Sequence, residues 1–175
     1  MRQAVVELFE KAHVNPTPGR TLIVGSYVVE NKADRRKLYP DAIGIDMREG
    51  PGVDRAIDLE EPLPRDLGQF AHIDCISVLE HSRRPWLMAQ NIERLLEPGG
   101  SLYITAPFVW RVHAYPDDYF RFTVNGVKSL FTEIEWSAAA FASNRLAKGV
   151  KIANTQVDGH PYFARTEACL FGHRL

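Results

Sequence analysis

An apolar run that ends in charged side chains constrains the fold of this chain more than any other feature. The run is Ile73–His81, with the sequence IDCISVLEH, and after one predicted helix it is followed by Glu97–Gly100 and a second apolar run. A short apolar run of this kind is typical of a buried parallel strand. Open α/β sheets bind ligands beyond the carboxyl ends of such strands, so Glu80 and His81 are predicted to lie at a ligand-binding edge.

The composition predicts one domain over residues 1–175 with a sizeable core. Hydrophobic residues make up 45% of the chain, charged residues make up 25%, and the formal net charge is -1. So small a charge provides no overall field for capturing nucleic acid or acidic membranes. We therefore expect neither as a partner.

The cysteines and the hydropathy pattern indicate a cytoplasmic protein. Cys75 and Cys169 each lie in an apolar segment without CxxC or Cys/His spacing, so we expect buried free thiols in a reducing compartment. The N-terminus lacks a basic segment followed by an apolar stretch, and no apolar run reaches about 18 residues. We expect no signal peptide and no membrane span.

Strand and helix patterns alternate along the chain, which predicts a mainly parallel sheet in a three-layer α/β fold. Helices are predicted at residues 1–13, Pro85–Leu96 and Val124–Phe131, and the basic run Arg35–Lys37 is interpreted as a solvated face. The last two predicted strands should pair as a hairpin. The predicted strands are Thr21–Gly25, Ala42–Asp46, Val53–Leu59, Ile73–Val78, Ser101–Ala106, Ile134–Phe141 and Thr166–Gly172.

Four predicted strand ends share one edge of this sheet and carry Gly25, Asp46, Asp58 and Glu80-His81. A glycine turn lets a ligand approach the backbone, and an acid that ends the second strand can accept two hydrogen bonds from a ribose diol. The edge therefore predicts a nucleoside ligand. Taken singly, Gly25 could be a tight turn, Asp58 a turn or cap residue, and Glu80-His81 a cap of the next helix.

Several motifs give the chain a resemblance to the class I methyltransferases that use S-adenosylmethionine, particularly a small group associated with polysaccharide and natural-product biosynthesis. The resemblance covers about residues 20–131. The motifs that carry it are Leu22–Ser26, Gly44–Asp46, Ile57–Leu59, Asp74–His81 and Leu95–Leu102.

The resemblance implies a Rossmann-like sheet of seven strands in the order 3-2-1-4-5-7-6, with the seventh strand antiparallel. It also implies S-adenosylmethionine as the cofactor. The residues that it assigns to the cofactor site are Gly25, Ser26, Asp46, Asp58, Leu59, Leu79, Glu80 and His81.

The first motif departs from the family pattern at two positions. Ile23 stands where an acid usually precedes the first glycine, and Tyr27 stands where a second glycine usually follows. The missing acid would have held the methionine amino group. The alternative to an enzyme is therefore a non-catalytic binding or interaction protein that keeps the fold without the cofactor. A nicotinamide-dependent oxidoreductase is disfavoured because GxGxxG is absent after the first strand.

The segment Pro107–Thr123 follows the fifth predicted strand, where the family places part of its acceptor pocket. Within it, His113–Thr123 is similar to the His-x-Tyr-Pro-x-Asp-Tyr-x-Arg-x-Thr pattern of the same small group. Its histidine, carboxylates and hydroxyl among aromatic side chains could orient a hydroxyl acceptor. Arg121 could instead pair with an acid or hold the loop. The predicted substrate-binding residues are Phe108, Trp110, Tyr115, Tyr119 and Arg121.

Methyl transfer from a sulfonium is an in-line displacement, so the protein mainly aligns the nucleophile with the methyl carbon. A base is needed only to remove the acceptor's proton, and His113 is the first candidate, with Asp117 or Asp118 second. His113 could also be satisfied within an ordered loop. The two acids with His113 could hold a metal, but paired acids more often cap a helix or bind an arginine, so we expect no metal.

These patterns together predict a cytoplasmic methyltransferase that acts on a small molecule, in particular on a hydroxyl of a sugar or secondary metabolite. The chain is short for the family, so its pocket should be open, and a second copy could complete it in a homodimer. Val157–Phe163 is either an element exchanged in such a dimer or a plain loop before the last strand.

Overall fold

The fold is organised around one sheet with helices on both faces. A computed structural model describes residues 2–29, 33–110, 112–113, 117–143, 153–154 and 165–175. Within them the α-helices are α1 (Arg2–His13), α2 (Pro85–Leu95) and α3 (Val124–Leu130), and short 3-10 helices lie at Arg35–Leu38 and Leu79–His81. Val157–Phe163 and Tyr115, both named in the sequence analysis, fall outside the described residues.

The sheet has the strand order β3-β2-β1-β4-β5-β8-β6-β7. Strands β1 to β5 are parallel, whereas β8 runs antiparallel to both β5 and β6. The predicted order and the antiparallel last strand are confirmed, and the sheet gains one edge strand of two residues, β7. The strands are β1 (Thr21–Val24), β2 (Ala42–Asp46), β3 (Arg55–Ala56), β4 (Phe70–Ile76), β5 (Leu96–Pro107), β6 (Ile134–Ser143), β7 (Ala153–Asn154) and β8 (Arg165–Arg174).

One face of the sheet packs against α2 and α3. Val24, Cys75, Ile104 and Leu170 are register partners in successive strands and form a continuous buried row on this face. On the opposite face, side chains of β5, β6 and β8 pack against Phe9 and its neighbours in α1. Because both faces are covered, the central strands are apolar on both sides.

The two cysteines lie in strands that are covered on both faces. Cys75 and Cys169 are buried free thiols, as predicted, and they belong to separate core clusters. No helix in the described part of the chain is long and apolar enough to cross a membrane.

The predicted third strand, Val53–Leu59, is wrong in extent, because only Arg55–Ala56 pairs with β2. The Asp54 carboxylate accepts the Gly44 N–H at 2.7 Å and so takes the place of a carbonyl from a longer strand. On the other side, Asp58 begins a turn in which its Oδ1 accepts the Glu60 N–H at 2.8 Å. Asp54 and Asp58 thus each accept a backbone N–H with a side-chain oxygen. The backbone pairing between β2 and β3 is therefore limited to two residues.

Candidate active site

The turn after β1 lies directly against the segment that follows β4. Gly25 has a φ of +70°, and a Cβ at this position would lie 2.5 Å from Cγ2 of Val78. Both the backbone conformation and the close approach require glycine. The adjacent Ser26 donates its backbone N–H to the Ile45 carbonyl at 3.0 Å, which joins the turn to the end of β2.

Asp46 ends β2 beside this turn, as predicted. Its Oδ2 accepts the Tyr27 N–H at 3.4 Å, and its Oδ1 accepts the Arg48 N–H at 3.2 Å. Each carboxylate oxygen has two lone pairs, so these single, long contacts leave acceptor capacity at the edge of the sheet. A diol that lies over the turn could use that capacity.

The other residues assigned to the cofactor lie in different environments. Asp58 is exposed and closes the turn described above. Leu59 and Leu79 are only 2% and 0% exposed and pack in the main core cluster, so their side chains support the edge from within. Tyr27 packs its ring against Gly50, where an added Cβ would lie 2.2 Å from Cε2 of the tyrosine.

A small cavity lies beside the turn after β1. Its volume is about 30 Å³, which is room for one water-sized group. It can therefore hold one polar end of a ligand, while a nucleoside would have to lie outside it. The lining residues are Ile23, Val24, Gly25, Ser26, Tyr27, Ala33, Arg35, Asp74 and Ile76.

A buried ion-pair network underlies this cavity. Arg35 donates from Nε to Asp74 Oδ2 at 3.0 Å and from Nη2 to Glu10 Oε1 at 2.9 Å. The interpretation of Arg35–Lys37 as a solvated face is therefore wrong for Arg35, since the acids of α1 and β4 draw its guanidinium inward. Burial raises the pKa of Asp74, against the lowering effect of Arg35 and Tyr39. Composition gave no signal for this network, because its members are far apart in sequence.

The end of β4 is tied to the loop after β5 by several hydrogen bonds. His81 donates its Nδ1–H to the Asp117 carbonyl at 2.5 Å, and the Glu80 carbonyl accepts the Tyr119 N–H at 2.8 Å. The Glu80 side chain is fully buried. The predicted cofactor edge and the predicted acceptor loop therefore meet at Glu80-His81.

His113 and Asp118 form a pair in this loop. His113 Nδ1 lies 3.1 Å from Asp118 Oδ2, and the His113 N–H donates to the same oxygen at 2.8 Å. Arg121 forks onto both carboxylate oxygens, with Nη2 at 2.6 Å from Oδ2. The hydrogen bonds from Arg121 hold the pKa of Asp118 well below its usual range. Asp118 is therefore ionised near neutral pH and suited to orienting His113 rather than to accepting a proton.

Asp117 and Tyr119 belong to a more exposed group. Tyr119 donates its hydroxyl to Asp117 Oδ2 at 2.9 Å and accepts a hydrogen bond from Arg83 Nε at 2.8 Å. Trp110 is 37% exposed, and its carbonyl accepts a hydrogen bond from Arg121 at 3.4 Å. Phe108 lies deeper, with its ring centroid 5.1 Å from that of Phe141.

Glu80, His81 and His113 bring one potential ligand atom each to within 4.8 Å of one another. The two imidazole rings are nearly perpendicular, with centroids 5.0 Å apart. Two imidazoles and a carboxylate suit a divalent transition metal. This set differs from the one considered in the sequence, since the Asp118 carboxylate is engaged by Arg121.

Two residues at the same edge escaped the sequence analysis. Ser77 has a φ of 56°, which is unusual for a residue other than glycine, and its hydroxyl donates to Glu167 Oε1 at 3.1 Å. Glu167 is fully buried in β8. The signal in the sequence was Glu167, an acid directly before the apolar segment Ala168–Gly172. A carboxylate that a strand carries into the core needs a hydrogen-bond partner there.

Comparison with solved structures assigns the chain the fold of class I S-adenosylmethionine-dependent methyltransferases. The N-methyltransferase NodS from Bradyrhizobium japonicum, solved with S-adenosylhomocysteine, is 15% identical with a TM-score of 0.60, over 99% of this chain and 86% of NodS. The [4+2]-cyclase SpnF is 16% identical with a TM-score of 0.63, over 98% of this chain and 80% of SpnF. A cyclase on this fold shows that the fold alone does not determine the reaction.

A curated relative adds a similarity in sequence. The 25S rRNA (adenine(2142)-N(1))-methyltransferase of Saccharomyces cerevisiae is 27% identical over 115 residues. The alignment covers 63% of this chain and 34% of the relative, so the chain matches about a third of that protein's length. No protein-family model matches the chain.

Proposed function

We propose that the protein is an S-adenosylmethionine-dependent methyltransferase of the cytoplasm that methylates a hydroxyl of a small molecule such as a sugar or secondary metabolite. The observation that carries the proposal is the meeting of the Gly25 turn, the Asp46 carboxylate and the His113 loop at one sheet edge. The fold supplies this edge, and the loop supplies polar groups that can face an acceptor.

In this proposal the cofactor lies across the ends of β1, β2 and β4. Asp46 accepts hydrogen bonds from the ribose hydroxyls, and Gly25 and Ser26 let the ligand approach the backbone. Asp58 contacts the adenine from its exposed turn, while the buried Leu59 and Leu79 hold the edge in shape. Glu80 and His81 join the cofactor to the acceptor loop.

The acceptor is proposed to lie against the loop after β5. Trp110 and Tyr119 present partly exposed aromatic surface, and the Phe108 ring packs against that of Phe141. His113 serves as the base that removes the acceptor's proton, and Asp118 positions it by accepting its backbone N–H at 2.8 Å. Arg121 keeps Asp118 ionised, and Asp117 holds the Tyr119 hydroxyl.

Methylation of an adenine in RNA is a second candidate, favoured by the name of the curated relative. The net charge of -1 argues against it, because RNA-binding surfaces carry clustered positive charge. An RNA substrate would require the basic surface to come from a partner or from a further part of the protein.

Transfer of an isotope-labelled methyl group from S-adenosylmethionine tests the proposal directly. The purified protein is incubated with panels of hydroxylated sugars, phenolic metabolites and RNA. Label in a sugar or phenol supports the main proposal, and label only in RNA favours the second candidate. Cofactor binding without transfer to any acceptor would count against catalysis, whereas no cofactor binding at all would favour the non-catalytic alternative.

The same preparation tests the proposed homodimer. An open acceptor pocket would be completed by a second copy, so light scattering should give twice the mass of the 175-residue chain. A monomer at working concentration would dismiss the exchanged element.

A further inference from the structure

The two oxygens of the Asp74 carboxylate differ in how many hydrogen bonds they accept. Its side chain is 1% exposed, and the donors that reach it converge on Oδ2, namely Arg35 and the Tyr39 hydroxyl at 2.9 Å. Among the residues that the structure describes, none donates to Oδ1. Buried acceptors without a partner are rare because they lose their hydration, so Oδ1 marks a place where a donor belongs.

This carboxylate lines the cavity beside the Gly25 turn. Asp74 is the register partner of Ile23 in the adjacent parallel strand, so the two side chains lie on the same face of the sheet. Ser26 lines the same cavity, and its hydroxyl also has no partner within the described part of the chain. The cavity thus offers two unsatisfied polar groups and about 30 Å³ of space.

The charge around the cavity favours a cation. Two carboxylates, Glu10 and Asp74, share the single guanidinium of Arg35. Burial raises the pKa of the Tyr39 hydroxyl, which therefore stays neutral, and burial lowers the pKa of His72 to about 4, so this imidazole is neutral as well. Counted with Asp74 ionised, the described residues of the network carry an excess of one negative charge, and a cation at Oδ1 would favour that ionised form against the burial that raises the pKa of Asp74.

We propose that Oδ1 of Asp74 receives a primary ammonium group, and that this group is the α-ammonium of the cofactor's methionine end. This assignment rests on the proposed function. In the family pattern the acid stands at position 23, in β1, whereas in this chain Asp74 in the neighbouring strand β4 supplies the carboxylate. The site therefore keeps an acid although position 23 is Ile23. Ser26 offers a second acceptor to the same ammonium.

Titration calorimetry with two ligands isolates this contact. S-adenosylhomocysteine carries the ammonium, whereas 5′-deoxy-5′-methylthioadenosine has the same nucleoside and sulfur without the amino acid. Asp74→Asn should weaken binding of the first ligand by about tenfold or more and leave binding of the second within about twofold. Asp66→Asn, which changes an exposed acid paired with Arg55, is the matched control and should alter neither affinity.

Equal weakening of both ligands by Asp74→Asn would overturn the inference and assign Asp74 a purely structural role. If that variant fails to fold, the wild type is titrated with the analogue of S-adenosylhomocysteine that lacks only the amino group. Weaker binding of the analogue, by about tenfold, supports the inference, and equal binding overturns it. A wild type that binds neither nucleoside would overturn the proposed function together with this assignment, whereas selective failure of the ammonium contact leaves the nucleoside site standing.

Discussion

The Nδ1 atom of His81 lies 2.5 Å from the carbonyl oxygen of Asp117, and this contact joins the proposed cofactor edge of the sheet to the proposed acceptor loop. His81 is the last residue of the Leu-Glu-His motif, and Asp117 lies 36 residues further along the chain. The hydrogen bond from Tyr119 to the Glu80 carbonyl strengthens the same junction. A motif at the end of β4 therefore also positions the residues proposed to act on the acceptor.

Replacement of His113 by alanine should lower kcat and leave cofactor binding intact. The proposed base would be lost, and general-base catalysis is typically worth about 100-fold to 10,000-fold. Labelled methyl transfer gives kcat, and calorimetry gives the affinity for S-adenosylhomocysteine. His13→Ala changes an exposed histidine of α1 and serves as the control. An unchanged kcat in His113→Ala would remove His113 from the chemistry.

Added Zn²⁺ should inhibit methyl transfer, whereas EDTA should not. Glu80, His81 and His113 can converge on one ion, which would occupy the imidazole proposed to act as the base. Initial rates measured against Zn²⁺ concentration check this, and His81→Asn should relieve the inhibition. Loss of activity in EDTA that a divalent cation restores would instead make a metal part of the enzyme.

Gly25→Ala should destabilise the protein more than Gly99→Ala does. Both glycines have a positive φ, 70° and 75°, but an added Cβ meets Val78 at Gly25 and nothing within 4 Å at Gly99. The backbone conformation alone costs about 1–2 kcal/mol for alanine, which is the expectation for Gly99→Ala. Urea denaturation gives both free energies of unfolding. Equal losses in the free energy of unfolding would show that the turn after β1 accommodates the added Cβ beside Val78 without further strain.

The free energy of unfolding should fall as the pH drops from about 6.5 towards 4, in part because of His72. Burial lowers the pKa of this imidazole from 6.5 to about 4, so the unfolded chain binds the proton more readily over that interval. The difference corresponds to about 3 kcal/mol, fully present above pH 6.5 and lost as the pH approaches 4.

Denaturation curves between pH 4 and pH 7 measure this loss. In His72→Gln the pH dependence should flatten, because the ionisable group is gone, while His13→Gln should keep the slope of the wild type. A slope unchanged in His72→Gln would mean that other groups account for the acid sensitivity.

The sheet was predictable because its signals are local. The apolar run of β4 follows from neighbouring residues, and the strand order follows from the resemblance. The predicted fifth strand, Ser101–Ala106, was too short, because β5 also includes Pro98–Gly100. The length of the third strand was overestimated because the Asp54 carboxylate accepts the N–H of Gly44 in β2, 10 positions earlier in the chain, in place of a backbone carbonyl. Apolar pattern carries no information about such side-chain competition.

The candidate site was predictable in its residue types and less so in their partners. Gly25, Asp46 and His113 were picked out from motifs, but the ion pair between Arg35 and Asp74 spans 39 positions and exists only once the 3-10 helix Arg35–Leu38 lies beside β4. The burial of Leu79 likewise depends on a 3-10 turn that places its side chain in the core. Pairings of this kind come from tertiary packing, which a single sequence does not display.

Calorimetric titration with S-adenosylhomocysteine, repeated on Asp46→Ala, tests the central claim most directly. The account predicts micromolar binding, about -8 kcal/mol, that weakens by at least about 1 kcal/mol in Asp46→Ala. Asp41→Ala, just before β2 at the far end of the same strand, should bind like the wild type. No binding heat in the wild type, with a second binding method in agreement, would contradict the account and leave the fold without a cofactor site.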